Sequence, residues 1–299
     1  MTAVADHFVT AQDGLRLHVR EYGERTARAL PVVCLPGLAR TTADFDPLAA
    51  ALAGSRDRPR RVLPLDYRGR GLSQYDRDPS RYSIPIELDD VITVLTARAV
   101  ASAVFVGTSR GGLIAMALAV ARPTMIAGVV LNDIGPVIEP QGLMRIKGYV
   151  GKLPQPNSFT EGAEALRRLF GAQFPKLGEA DWLALARRTW QERDGRLVLT
   201  YDPRLADGLA ALAPDQPLPT MWPQFDALAH LPMMIIRGAN SDILSAETLA
   251  AMQARRCATT VLEIPDQGHA PLLAEPDTIA RIAAFLADCD EAQHAGGAI

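Results

Sequence analysis

The feature of the sequence that most constrains the fold is an alternation of short, continuously apolar runs with apolar helix patterns. Residues 103–106 and 128–131 are uninterrupted apolar runs. Between them, residues 113–121 form a helix pattern that is apolar on nearly every face and stops before Pro123. Strands that are apolar at every position are typical of parallel sheets covered by helices on both faces. This part of the chain therefore predicts an α/β fold.

The same alternation occurs in two blocks, which a different kind of segment separates. The second block contains two further apolar runs and a final helix pattern that starts at Asp277. Between residues 137 and 230, helix patterns and proline-rich turns dominate, and no comparable buried strand is predicted. We therefore predict a core domain formed by residues 1–136 and 231–299, with residues 137–230 inserted as a helical lid domain.

The composition excludes several classes of protein and partner. The 299 residues carry a net charge of -3, so no basic surface for nucleic acid is expected. The longest apolar stretches, such as residues 111–121, are shorter than the ~20 residues that a membrane span needs. Cys34, Cys257 and Cys289 fit neither a disulfide framework nor a zinc site, and no signal peptide is visible. We expect a cytoplasmic protein whose partners are a small-molecule substrate and water, with no nucleic acid and no membrane.

A Gly-x-Ser-x-Gly sequence occupies the turn between an apolar strand and a buried helix. Gly107-Thr108-Ser109-Arg110-Gly111 follows the run at residues 103–106 and precedes the helix pattern. In this context the serine hydroxyl is presented on a sharp turn, where small neighbours let strand and helix approach closely. The helix N-terminus also favours negative charge that develops beside the serine. Ser109 is therefore the predicted nucleophile.

A serine hydroxyl is a poor nucleophile at its free pKa, so a base must be found. The five histidines are His7, His18, His230, His269 and His294. Only His269 directly follows a late strand on a loop, and it comes after Ser109, the chain order expected for this arrangement. We predict His269 as the base. We interpret His7 and His18 as surface residues of the N-terminal hairpin, His230 as a hinge of the lid and His294 as part of the C-terminal tail.

The base in turn needs a carboxylate that orients the imidazole. Asp242 comes just after the apolar run at residues 233–236, and Asp133 comes just after the run at residues 128–131. Asp242 is the predicted acid. Asp133 is the alternative, because it ends the neighbouring strand at the same edge of the sheet.

Five motifs together carry a resemblance to a known family. In chain order they are Leu35-Pro-Gly-Leu38, Asp66-Tyr-Arg-Gly-Arg-Gly-Leu-Ser73, Gly107-Thr-Ser-Arg-Gly111, Arg237-Gly-Ala-Asn-Ser-Asp242 and Asp266-Gln-Gly-His269. With this set the chain resembles the α/β-hydrolases, in the branch of esterases, lactonases and carbon–carbon bond hydrolases. The resemblance covers roughly residues 8–136 and 230–288.

The resemblance implies a mostly parallel eight-stranded sheet with helices on both faces and a helical lid inserted after strand six. It supports Asp242 as the acid and implies an oxyanion hole made by the backbone N–H groups of Leu38 and Arg110. Many relatives have His-Gly where this chain has Pro36-Gly37, but the donor is a main-chain group. No cofactor and no metal are expected, because the reaction needs only water.

These residues favour a serine hydrolase that cleaves a small carboxylic ester or lactone through an acyl-enzyme intermediate. Residues 137–230 hold eleven basic and eleven acidic residues, so their net charge is zero and we expect no electrostatic attraction of a strongly charged substrate. Their nine aromatic residues favour an apolar or aromatic substrate, unless they pack the core of the lid itself. The alternatives are hydrolysis of a carbon–carbon bond in a ring-cleavage diketone by the same residues, and a non-catalytic ligand-binding protein.

Residues 66–73 are interpreted as a loop with internal Asp–Arg pairs that supports the active-site edge.

Overall fold

The computed structural model describes residues 3–213, 218–256 and 258–296, so Cys257 lies outside the described residues. The strands in this part of the chain are β1 (Val4–Thr10), β2 (Arg16–Tyr22), β3 (Val32–Leu35), β4 (Val62–Asp66), β5 (Ala103–Thr108), β6 (Ile126–Asn132), β7 (Trp190–Arg193), β8 (Arg196–Leu199), β9 (Met233–Gly238) and β10 (Thr260–Ile264). The α-helices of the same residues are α1 (Asp46–Ala53), α2 (Ile84–Ala97), α3 (Arg110–Ala121), α4 (Pro140–Tyr149), α5 (Phe159–Phe170), α6 (Glu179–Thr189), α7 (Trp222–Asp226), α8 (Ala246–Arg255) and α9 (Pro276–Gly296).

Eight strands form one mostly parallel sheet in the order β1-β2-β4-β3-β5-β6-β9-β10. Strand β2 is antiparallel to both β1 and β4, and the other neighbouring pairs are parallel. Every residue of β3, β4 and β6 is buried, as strands covered on both faces require. The predicted α/β fold with an eight-stranded sheet is therefore confirmed.

Side chains of the central strands alternate between two apolar clusters, one on each face of the sheet. On one face Val33 and Phe105 join the large cluster that includes buried side chains of α2 and α3. On the other face Cys34 and Val104 pack with buried side chains of α1 and α9. Burial raises the pKa of the Cys34 thiol far above its ordinary value, so this cysteine is a core residue rather than a nucleophile.

The segment between β6 and β9 contains α4 to α7 and a two-stranded hairpin of β7 and β8. The hairpin adds to the helix patterns and turns that the sequence predicts to dominate residues 137–230, and its strands are mostly exposed or half-buried, unlike the buried strands of the main sheet. Its turn is Asp194-Gly195, where both residues have positive φ (+52° and +72°), as a tight hairpin turn requires. The Asp-Gly pair was therefore the available sequence signal. We refer to residues 137–230 as the inserted segment.

Most of the large aromatic side chains of the inserted segment pack inside it. Phe174, Trp182 and Trp190 are buried in one apolar cluster that draws on α5, α6 and β8. Phe225 instead joins the cluster on the α2 and α3 face of the sheet. These aromatic residues therefore support the packing of the segment, and four of the nine, Tyr149, Phe170, Phe174 and Tyr201, also line the cavity beside Ser109.

The Asp66–Ser73 loop and the N-terminal hairpin are joined by buried polar contacts. The interpretation of His18 as a surface residue is wrong: its side chain is fully buried, with Nδ1 2.7 Å from the Asp66 carboxylate and Nε2 2.9 Å from that of Asp6. The interpretation of internal Asp–Arg pairs in this loop is also wrong: Asp66 pairs with His18, and Arg68 binds the Asp90 carboxylate of α2. The loop thus ties β2 and α2 to the carboxyl edge of β4.

Within the described part of the chain, every helix is too short or too polar to span a bilayer.

Candidate active site

Ser109 lies at the sharp turn from β5 into α3. Its φ is +51° and its ψ is -115°, a backbone conformation that residues other than glycine rarely adopt. A Cβ on Gly111 would overlap the carbonyl oxygen of Leu35, and one on Gly107 would lie 2.6 Å from the Gly112 nitrogen. Because β3, β5 and α3 approach this closely, only glycine fits at both flanking positions. The turn therefore projects the serine side chain beyond the edge of the sheet, as the sequence predicts.

His269 lies on the loop after β10 and reaches the serine. Its Nε2 is 2.9 Å from Ser109 Oγ, and its side chain is only 5% exposed. The side chain of Gln267 holds this loop, accepting a hydrogen bond from the Leu272 N–H and donating one to Glu275. The structure thus brings the predicted nucleophile and base within hydrogen-bonding distance.

The acid beside His269 is Asp133, not Asp242. His269 Nδ1 lies 2.8 Å from Asp133 Oδ2, and the carboxylate is fully buried. The Gly238 N–H donates to Asp133 Oδ1 at 2.9 Å, and the Ser241 hydroxyl donates to Oδ2 at 2.6 Å. These donors compensate the desolvation of a buried carboxylate. Asp133 follows β6, which pairs directly with β5, the strand that ends just before Ser109.

Asp242 binds an arginine instead of the histidine, which corrects the prediction. Arg145 of α4 donates to both carboxylate oxygens of Asp242, at 2.6 and 2.8 Å. Helix α4 reaches this loop because Gly142 has no side chain; a Cβ there would overlap the Asp242 carbonyl oxygen. Burial alone would raise the pKa of Asp242, but the hydrogen bonds and charge of Arg145 outweigh it and lower that pKa. The Asp242 carboxylate is thereby turned toward the inserted segment.

The backbone N–H groups of Leu38 and Arg110 belong to two segments that lie beside Ser109. Arg110 is the first residue of α3, directly after Ser109. Leu38 follows Gly37, whose Cβ position would be 3.9 Å from the Ser109 Cβ. Within the described ranges, neither of these N–H groups has a hydrogen-bond partner. The geometry leaves both donors free, and their role in binding an oxyanion stays a prediction.

Two buried ion pairs that share Glu87 hold the chain at both of these donors. Arg70 Nε donates to the Leu38 carbonyl oxygen at 2.9 Å, and its Nη1 donates to Glu87 Oε1 at 2.7 Å. The other oxygen of Glu87 accepts a 2.5 Å hydrogen bond from Arg110 Nε. Burial by itself would raise the pKa of Glu87, but the charges of Arg70 and Arg110 outweigh it and lower that pKa. We call Arg70, Glu87 and Arg110 the clamp.

The clamp was not recognised from the sequence. The loop motif contains Arg70, but its acidic partner comes from α2, outside the motif, where Glu87 is fully buried. The available signal was a pair of acidic residues, Glu87 and Asp90, among the apolar residues of the face that α2 buries. The Arg110 side chain consequently points to Glu87 and to the Tyr82 carbonyl oxygen.

A cavity of about 140 Å³ lies above the serine and histidine. Its wall is mainly apolar and combines the loop after β3, the His269 loop and the inserted segment. The apolar side chains from the inserted segment that line it are Ile146, Val150, Leu153, Leu166, Phe170, Phe174 and Leu185. Among the described residues no group of three His, Cys, Asp or Glu side chains is arranged to hold a metal ion.

Comparison with known proteins decides the family. A model described as the alpha/beta hydrolase family matches residues 32–282, which is most of the chain. The chain belongs to the α/β-hydrolase family. The resemblance inferred from its motifs is thereby confirmed.

Several relatives of this α/β hydrolase match it along nearly its whole length. A 3-hydroxybutyrate-oligomer hydrolase from Cupriavidus necator is 35% identical over 272 residues, covering 89% of this chain and 90% of the relative. A 2-(acetamidomethylene)succinate hydrolase from Mesorhizobium japonicum is 26% identical over 270 residues, with the same coverage. A solved α/β hydrolase from Novosphingobium aromaticivorans is 41% identical, with a TM-score of 0.87 over 96% of this chain and 99% of that structure.

Proposed function

We propose that the protein is a serine esterase that cleaves short carboxylic esters, with Ser109, His269 and Asp133 as its catalytic triad. The observation that carries this proposal is the continuous hydrogen-bonded chain from Ser109 Oγ through the imidazole to the Asp133 carboxylate. This arrangement allows the imidazole to take the serine proton while the carboxylate stabilises the resulting imidazolium.

The proposed reaction has two stages. Ser109 Oγ attacks the ester carbonyl carbon as His269 Nε2 takes its proton, and the carbonyl oxygen becomes an oxyanion beside the Leu38 and Arg110 N–H groups. Collapse of this intermediate expels the alcohol, which receives the proton from His269, and leaves an ester bond between the acyl group and Ser109. Water then attacks the carbonyl carbon of this acyl group as His269 takes a proton from the water. The bond between the acyl group and Ser109 Oγ breaks, His269 returns the proton to the serine oxygen, and the acid and free serine are released.

The substrate we favour is a short ester of a hydroxy acid, such as a linear oligomer of 3-hydroxybutyrate. Two observations support it: the relative at 35% identity has a name that describes cleavage of such oligomers, and the cavity is small and mainly apolar. We also propose that the inserted segment acts as the lid of this site, because its side chains form much of the cavity wall.

A fluorophosphonate that labels activated serines tests the proposal without a choice of substrate. We expect intact-mass analysis to show one phosphonate per chain in the wild type and none in Ser109→Ala, with His269→Ala strongly slowed. A folded wild type that remains unlabelled would contradict an activated Ser109 and favour a non-catalytic ligand-binding protein. Release of 3-hydroxybutyrate from its linear dimer is the second readout.

Hydrolysis of a carbon–carbon bond or of a related non-ester substrate is the second candidate. It is favoured by the relative named as a 2-(acetamidomethylene)succinate hydrolase, which matches this chain over the same length. The same triad and oxyanion donors would serve, so the two candidates differ only in substrate. Turnover of that succinate or of a ring-cleavage diketone, with no turnover of simple esters or of the dimer, would decide for this candidate.

A further inference from the structure

The cavity wall includes three charged side chains that contact one another. Arg40 and Asp44 come from the loop and short helical turn after β3, and Arg188 comes from the last turn of α6. Gly37 connects them to the catalytic centre: its Cβ position would be 3.4 Å from Arg40 Cγ and 3.9 Å from Ser109 Cβ. The charged part of the wall is therefore close to where a bound ester would react.

Arg40 is already occupied by protein partners. Its Nε and Nη2 bind the two carboxylate oxygens of Asp44 at 2.6 and 2.5 Å, in the two-bond geometry that suits a guanidinium. Its Nη1 donates to the Thr189 hydroxyl at 3.1 Å. Arg40 and Asp44 therefore neutralise each other and leave this guanidinium few donors for a ligand.

Among the described residues, Arg188 has no carboxylate partner that binds it through two hydrogen bonds. Its Nη1 is 3.9 Å from Asp44 Oδ1, beyond hydrogen-bonding distance, and its Nε makes a long 3.4 Å contact with the Ala184 carbonyl oxygen. Within residues 3–213, 218–256 and 258–296 these are its only polar partners. The side chain is 17% exposed, so water compensates its charge only in part. Its two Nη groups are available to a ligand in the cavity.

The other titratable groups that line the cavity do not cancel this charge. Burial raises the pKa of Tyr201 to about 12 and also raises that of Tyr149, so both hydroxyls are neutral. Arg40 and Arg188 face a single carboxylate, that of Asp44. With His269 left aside, the two arginines and one aspartate of the lining therefore give it a net charge of one positive unit.

We propose that Arg188 binds a carboxylate of the substrate, so that the site selects esters with a free acid group over neutral esters. This inference rests on the proposed function and gives its substrate class. A guanidinium fork matches a carboxylate, and both groups gain from pairing where little water remains. Linear oligoesters of hydroxy acids have such a carboxylate at one end, a few bonds from the last ester group.

Binding to a Ser109→Ala variant tests the proposal separately from turnover. The probes are the linear dimer of 3-hydroxybutyrate and the same dimer with its terminal carboxylate converted to a primary amide, measured by titration calorimetry. We expect Ser109→Ala to bind the acid about 10- to 100-fold more tightly than the amide, as charged hydrogen bonds typically provide. Adding Arg188→Gln should reduce this preference to within about twofold, with the affinity for the amide unchanged.

Arg187→Gln is the matched control. Arg187 precedes Arg188 on the same helix but is exposed, and its guanidinium lies 4.8 Å from the centre of the Phe159 ring rather than in the cavity. Ser109→Ala with Arg187→Gln should keep the full preference for the acid. An equal loss in both variants would overturn the proposal, because general electrostatics would then explain the effect.

The remaining outcomes separate this inference from the proposed function. Equal affinity of Ser109→Ala for acid and amide, or no binding of either, overturns a carboxylate site, and neither result depends on whether Arg188→Gln folds. If the wild type is labelled and cleaves the dimer, but Ser109→Ala shows no preference for the acid over the amide, the esterase proposal is supported and the carboxylate site is contradicted. Tight binding of the acid without labelling of the wild type supports the carboxylate site and contradicts the esterase.

Discussion

At the scale of single residues, the two carboxylates of Asp133 and Asp242 have different partners, and substitution distinguishes their roles. Asp133→Asn leaves the shape of the site intact but favours the wrong imidazole tautomer, so we expect kcat to fall by about 10⁴-fold. Asp242→Asn, which removes one charge from a partly exposed ion pair with Arg145, should change kcat by less than about tenfold. The measurement is kcat on a chromogenic butyrate ester.

The comparison of these two variants is decisive because both remove one carboxylate from the same edge of the sheet. Near-normal activity of Asp133→Asn together with loss of activity in Asp242→Asn would restore the expectation drawn from the sequence. It would require the loop after β9 to rearrange during catalysis and to release Asp242 from Arg145.

The clamp gives a second prediction, one that concerns stability. Glu87→Gln leaves the fully buried Arg70 without a compensating charge, and breaking a buried pair in this way typically costs about 3–5 kcal/mol. We expect the free energy of unfolding in urea to fall by about that amount. A change below 1 kcal/mol would show that water or other groups compensate Arg70.

Arg110→Met tests the clamp without leaving Arg70 unpaired, since the Glu87–Arg70 contact remains. Because the Arg110 side chain fixes the first turn of α3, we expect kcat to fall about tenfold with little change in KM. A change confined to KM would instead place the side chain in substrate binding.

At the scale of elements, we expect the contact of the N-terminal hairpin with β4 to be sensitive to pH. Burial alone would lower the pKa of His18, but the carboxylates of Asp66 and Asp6 outweigh it and raise the pKa above 6.5. The protonated histidine therefore stabilises the folded state fully below pH 6.5, and this contribution is lost as the pH rises through the folded-state pKa.

The corresponding measurement is the free energy of unfolding of His18→Gln relative to wild type. We expect the variant to lose more stability at pH 6 than at pH 9. His7→Gln, on the neighbouring strand with a side chain one-third exposed, is the control and should show a smaller difference between the two pH values. An equal loss for His18→Gln at both pH values would contradict a raised pKa.

At the scale of the whole molecule, the sheet and the inserted segment together enclose the cavity and limit the length of a substrate. A volume of about 140 Å³ is smaller than the roughly 300–1,000 Å³ typical of ligand pockets. We therefore expect hydrolysis of a 4-nitrophenyl butyrate to exceed that of the decanoate at least tenfold in kcat/KM.

Phe170→Ala tests whether the inserted segment sets this limit. Phe170 lines the cavity and meets Tyr149 edge-on, with ring centres 5.1 Å apart. Removing the ring should raise the decanoate-to-butyrate ratio about tenfold. An unchanged ratio would mean that long acyl groups leave the site by a route that does not pass this segment.

The sequence by itself determined the features whose requirements are local. The alternation of apolar runs predicted the mostly parallel sheet, because a strand buried on both faces must be apolar at each position. Gly107, Ser109 and Gly111 predicted the nucleophile turn, because the strand-to-helix crossing there excludes side chains. His269 followed from its position after the last strand of the sheet.

Only the tertiary structure decided which aspartate meets the histidine. Asp133 and Asp242 both follow buried strands at the same edge, so chain order and spacing permit either. The choice depends on contacts between distant segments: Gly142 lets α4 approach, Arg145 then binds Asp242, and Gly238 and Ser241 provide donors to Asp133. A buried carboxylate is stable only where such donors converge, and that convergence arises when the strands and the inserted segment pack together.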